Sequence, residues 1–150
     1  MNKKRYLLLL IVDLSLITIG GFIYILFRTE SLLLFSWIKS LSLYPFVNEL
    51  RYLSQPYCKY VPVCIIYSLP NALWLLSGLI SFYLIWDEKS KGYYFWIIFF
   101  IFISIGLEVG QGLKLIAGNY DNLDLFFLIF TVILFFLITY RAKGKSNEKV

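Results

Sequence analysis

The chain has 150 residues, 60% of them hydrophobic and 15% charged, with no histidine and a formal net charge of +5. That composition excludes an ordinary soluble domain, whose apolar residues alternate with polar stripes at helical period. The missing imidazole excludes histidine bases, histidine metal sites and Ser/His or Cys/His catalysis.

The basic excess is not that of a nucleic-acid binder. Lys3, Lys4 and Arg5 precede one apolar block, and Arg141, Lys143, Lys145 and Lys149 follow another. Positive charge flanking apolar blocks is the pattern of a membrane protein with anionic headgroups nearby, so the expected partner is a lipid bilayer. The bias toward Ile, Leu, Phe, Tyr, Lys and Ser, with scarce Ala, resembles an AT-rich bacterial genome.

The apolar residues fall in blocks of about 20, the length that crosses about 30 Å of hydrocarbon as a helix. The first span is read over residues 6–27, with Asp13 inside it and Gly20-Gly21 near its far end. Its basic start resembles a signal peptide, but no small-residue cleavage site follows, so the span is expected to be retained. Residues 31–62 are mixed. The run from Leu32 to Ile38 is too short to cross and predicts a short interfacial segment or a shallow re-entrant piece. Trp37, Tyr44, Tyr52, Tyr57 and Tyr60 suit an aromatic belt, and Pro45, Pro56 and Pro62 preclude a long helix. Cys58 and Cys64 lack zinc-like spacing and companion ligands, and are read as unpaired thiols, with a disulfide as the alternative if that segment faces an oxidising compartment.

The second span is read over 63–86, with Pro70-Asn71 in its first third. A charged turn over 87–92 leads into a third span over 93–116. Gly118-Asn119-Tyr120-Asp121-Asn122 is turn chemistry that caps a fourth span over 123–140, followed by a basic tail. The expected fold is an all-α membrane protein forming one domain over 1–150, with four transmembrane helices and a short interfacial segment between the first and second. Placing both termini and the 87–92 turn in the cytoplasm leaves only Arg28, Lys39, Arg51, Lys59 and Lys114, thinly spread, on the other side. The positive-inside rule favours that orientation.

Glu108, Gln111, Asp121 and Asp124 lie between two of the most apolar stretches of the chain. A carboxylate beside hydrocarbon is costly and has a partner, a watered niche or a task. At helical rise Glu108 stands about 22 Å from the cytoplasmic surface, in the outer leaflet, with Gln111 one turn higher. Ser104, Glu108, Gln111 and Gly112 share one helical face. Gly106 and Gly110 share the opposite face as Gly-x-x-x-Gly, a spacing that suits a homodimer seam. Asn71 enters the second span from the same side. These depths predict an outward-facing niche of Asn71, Glu108, Gln111, Asp121 and Asp124, with Lys114 as counter-charge. The plainer alternatives are that Asp121 or Asp124 is a helix N-cap and that Glu108 pairs with Lys114. Pro70 is tolerated if Ser68 or Asn71 satisfies the freed backbone.

Gly106-Leu-Glu108-Val-Gly-Gln111, followed by Gly118-x-x-Asp121-x-x-Asp124, resembles the signature of the VanZ-like family, in which a Glu-x-x-Gln pair ends one membrane helix and acidic residues open the next. Leu69-Pro70-Asn71-Ala72-Leu73-Trp74 is similar to that family's LPxxxW-type start to the second span. The chain departs from the pattern at Asn119-Tyr120, where an arginine is usual, and at Leu128, where Asn and Gly would follow the second acid. The resemblance implies a divergent member, an envelope protein whose family namesake is linked to low-level teicoplanin resistance, with no catalytic mechanism attached.

Three functions compete on these residues, with a structural subunit of a larger complex as the remainder. The first is a non-enzymatic protein that binds an envelope lipid or glycolipid headgroup in the niche, with no cofactor, no resident metal and no catalytic residue. The second is a membrane-surface enzyme, with Glu108 as general base and Asp121 and Asp124 holding a divalent metal. The third is a small proton- or ion-coupled transporter using Glu108 or Asp13, dimerised through Gly106 and Gly110.

Overall fold

A computed structural model describes the backbone of residues 3–86, 90–118 and 120–147, and side chains as far as residue 139. Asp87, Glu88 and Lys89 of the charged turn, Asn119 of the capping turn and Lys149 of the tail lie outside the described residues.

The described chain is all-helical. It runs α1 Lys3–Phe27, α2 Leu33–Ser40, α3 Tyr44–Ser54, a 3-10 turn Gln55–Tyr60, α4 Val63–Ile85, α5 Lys91–Gly112 and α6 Asn122–Asn147. Four of these helices, α1, α4, α5 and the 122–139 part of α6, are long and apolar enough to cross a membrane. Each proline in the mixed region marks a helix start. Pro45 lies in the first turn of α3, Pro56 in that of the 3-10 turn, and Pro62 is the N-cap of α4. Such positions suit proline because the first N–H groups of a helix lack intrahelical partners anyway.

The third element is shorter than the apolar pattern suggested. The run continues through Leu115 and Ile116, but Lys114 adopts a left-handed φ of 58°. Leu115 N–H then bonds Gly110 O at 2.8 Å and Lys114 N–H bonds Gln111 O at 3.0 Å, a Schellman ending. Hydropathy cannot register this reversal, because the residues beyond it are still apolar. Ser42, also at φ 58°, ends α2 in the same way.

Helix α4 packs against α1, α5 and α6. Its Leu75, Leu79, Ile80 and Tyr83 meet Tyr93 and Ile97 of α5 and Leu128 and Phe135 of α6 in the main core. A smaller cluster of Phe35, Ile38 and Val47 seats α2 and α3 beside Ile25 near the end of α1. Arg51 ties that unit down. It donates to the carbonyl of Ile25, lies 3.6 Å from Glu30, and sets its guanidinium 5.0 Å from the Phe35 ring centre. Tyr44 donates to Glu30 at 2.7 Å, and this bond raises its phenol above the usual pKa.

Polarity is arranged inside out relative to a water-soluble bundle. Leu8, Phe102 and Phe126 are exposed, whereas the buried residues of α1 are Asp13 and Gly20. Asp13 accepts hydrogen bonds from Ser77 and, at 2.7 Å, from Ser81, so its carboxylate joins α1 to α4. Gly20 admits the indole of Trp74, since a Cβ there would come within 2.7 Å of Nε1. The hydroxyls of Ser15 and Thr18 bond carbonyls one turn back, which satisfies them without a neighbouring helix.

Candidate functional site

The C-terminal ends of α1 and α5 meet the N-terminal ends of α4 and α6 at one end of the bundle. There they enclose a cavity of about 540 Å³, within the range of small-molecule sites. Its lining includes Asn71, Glu108, Gln111, Asp121 and Asp124. All five residues singled out in the sequence therefore come together, from three different helices and one turn.

Glu108 is 6% exposed. One carboxylate oxygen accepts the backbone N–H of Asp121 at 3.0 Å, fastening the end of α5 to the start of α6. Asp121 in turn accepts the N–H of Leu123 at 2.9 Å through its side chain, the geometry of an N-cap on α6. Its carbonyl takes the N–H of Leu125. Asp121 is thus a cap that also lines the cavity. Asp124 is different, for its Oδ1 is fully buried and has no hydrogen-bond partner among the described residues. Buried carboxylate oxygens are seldom left so, because desolvating one without a donor is costly.

Gln111 is held by Gly118. That glycine has φ +149°, and a Cβ on it would lie 2.5 Å from Cδ of Gln111. Only a residue without a side chain lets the turn approach Gln111 this closely. Asn71, one residue after Pro70, faces the same space from α4. Ser68 does not compensate the proline, because its hydroxyl is fully buried and has no partner among the described residues.

The cation of the site is not the expected one. Lys114 is exposed on the left-handed turn, does not line the cavity and forms no salt bridge with Glu108. Arg28 lines it instead, with its guanidinium 4.7 Å from the Tyr67 ring centre and 5.2 Å from that of Tyr24. No carboxylate among the described residues lies within ion-pair distance of Arg28. Arg28 and Tyr67 had not been singled out. The signal for them was depth, since the end of the first span and the start of the second share a level with Asn71.

A second cavity of about 320 Å³ adjoins the first through Asn71, Glu108 and Gln111, and is walled by apolar side chains including Trp74, Phe100 and Leu107. A polar chamber beside an apolar groove suits an amphiphile. The described residues contain no group of three Asp, Glu, Cys or His side chains arranged to hold a metal ion. Cys58 and Cys64 are free thiols.

No family model, curated protein or solved structure matches the chain.

The Gly106-x-x-x-Gly110 face is not uniformly open. A Cβ on Gly106 would meet nothing within 4 Å, while one on Gly110 would lie 2.7 Å from Cδ1 of Ile116. The reversed turn after α5 covers half of that seam.

Proposed function

We propose that this chain is a multi-pass bacterial membrane protein of the VanZ-like type that binds a cell-envelope lipid or glycolipid without catalysing a reaction. In this reading both termini are cytoplasmic, the polar cavity opens at the outer headgroup level, and α2, α3 and the 3-10 turn lie along the interface. The lysines and arginines near the termini support the orientation. Exposed Trp37, Tyr52, Tyr57 and Tyr60 support the interfacial placement of the 31–62 region.

One observation carries the proposal, namely the convergence of Asn71, Glu108, Gln111, Asp121 and Asp124 on a cavity that adjoins an apolar groove. Headgroup and chain of one amphiphile need those two environments side by side. The enzymatic alternative is weaker because Glu108 and Asp121 are engaged in helix fastening and capping, and no three metal-ligating side chains are grouped among the described residues. The transporter alternative loses Asp13, which is occupied by Ser77 and Ser81.

The test is Glu108→Gln in the native host. Altered sensitivity to envelope antibiotics such as teicoplanin, at an unchanged protein level, is the expected result. Wild-type sensitivity at that level sinks the reading.

A further inference from the structure

The cavity has two electrical poles, and neither is neutralised from within. At one wall, Arg28 holds its guanidinium over the Tyr24 and Tyr67 rings, with no carboxylate in ion-pair range among the described residues. Ring faces engage the flat side of a guanidinium, which leaves its in-plane N–H groups available to an anion. At the other wall stand Glu108 and Asp124. Glu108 uses one oxygen for Asp121 N–H, and its other oxygen accepts no hydrogen bond from the described residues. Asp124 Oδ1 is buried with no donor at all among them.

Resting on the headgroup-binding reading above, we propose that the cavity takes a zwitterionic headgroup bearing a primary ammonium next to a phosphate. The phosphate sits on Arg28, and the ammonium donates to the carboxylates of Glu108 and Asp124 that line the cavity. Opposite unpaired charges facing one chamber favour a ligand that carries both signs over one that carries either alone. The unpartnered carboxylate oxygens then choose between zwitterions. A primary ammonium has three N–H donors, whereas a quaternary ammonium has none and would leave the second oxygen of Glu108 without a donor. The apolar groove beyond Asn71, Glu108 and Gln111 has room for the start of an acyl chain, which favours a lipid over free phosphoethanolamine.

The experiment is competitive binding to the purified full chain in detergent, read by native mass spectrometry. The probes are phosphatidylethanolamine, phosphatidylcholine and phosphatidylglycerol of identical chains, with soluble phosphoethanolamine as a fourth arm. Phosphatidylethanolamine should be retained at least tenfold over both other lipids, and phosphoethanolamine should compete with it only weakly. Asp124→Asn should bring phosphatidylethanolamine down to the retention of phosphatidylcholine, whereas Arg28→Gln should lower the retention of all three lipids, because each carries the phosphate. The wild-type comparison among headgroups needs no variant, so a variant that misfolds leaves the test intact. Equal retention of phosphatidylethanolamine and phosphatidylcholine overturns the ammonium assignment. Preferred retention of phosphatidylglycerol, abolished by Glu108→Gln, also overturns it while sparing headgroup binding. Lipid retention that no cavity substitution alters overturns both.

Discussion

The Glu108 carboxylate accepts the Asp121 backbone N–H at 3.0 Å, so one buried acid both lines the cavity and joins α5 to α6. The residue that had looked most functional is therefore also a structural fastener. Substitutions at this position must separate charge from hydrogen bonding. Gln keeps an acceptor oxygen for the Asp121 N–H, whereas Ala leaves that donor without a partner. Glu108→Ala should lower stability by about 1–3 kcal/mol, the usual cost of stranding a buried donor, and Glu108→Gln by clearly less. Thermal unfolding in detergent checks this; equal midpoints for the two variants would show that the bond does not support the fold.

Two glycines give opposite expectations. Gly118 combines φ +149° with a Cβ position 2.5 Å from Gln111 Cδ, while a Cβ on Gly106 meets open space. Gly118→Ala should displace Gln111 and destabilise the protein by more than about 1 kcal/mol, since both backbone and packing object. Gly106→Ala should be neutral or stabilising by up to about 1 kcal/mol through helix propensity. Midpoints from the same thermal assay discriminate, and a costly Gly106→Ala would point to a second copy packed on that face.

The four long helices were legible because apolar blocks of spanning length leave few alternatives. The cavity was legible for a related reason, since polar residues stranded at one depth must face one another or water. Three features escaped. The end of α5 depends on the left-handed backbone of Lys114, a choice that an apolar pattern does not encode. Arg28 stands in place of Lys114 as the cation of the site; Tyr24 lies only one turn before it, but its other aromatic neighbour, Tyr67, comes from α4, and that adjacency is tertiary. The partner of Asp13 was readable in principle, because Ser77 and Ser81 are spaced one turn apart on one face of the helix beside it.

That last contact can be measured. Asp13→Ala strands two buried or half-buried hydroxyls, and Ser77→Ala removes one of the donors. If the three side chains act as a unit, the double variant Asp13→Ala/Ser77→Ala should be less destabilised than the sum of the singles. Coupling of about 0.5–3 kcal/mol is typical for residues in one hydrogen-bond network. Strict additivity in a double-mutant cycle would count against a clamp between α1 and α4.

The orientation proposed for the chain has a built-in reporter. Cys58 is exposed in the 3-10 turn and free, whereas Cys64 is half-buried in the first turn of α4. With both termini cytoplasmic, Cys58 faces the outside, so a membrane-impermeant maleimide should label intact cells. Cys58→Ser should remove most of that signal, and Cys64→Ser should leave it, because reaction at a thiol follows its exposure. Labelling that appears only after the membrane is permeabilised would invert the topology. The Arg28–Glu108–Asp124 cavity lies at the same end of the bundle as the start of α4, close in sequence to Cys58. An inverted result would therefore turn the cavity toward the cytoplasm and remove outer-leaflet lipids as its ligands.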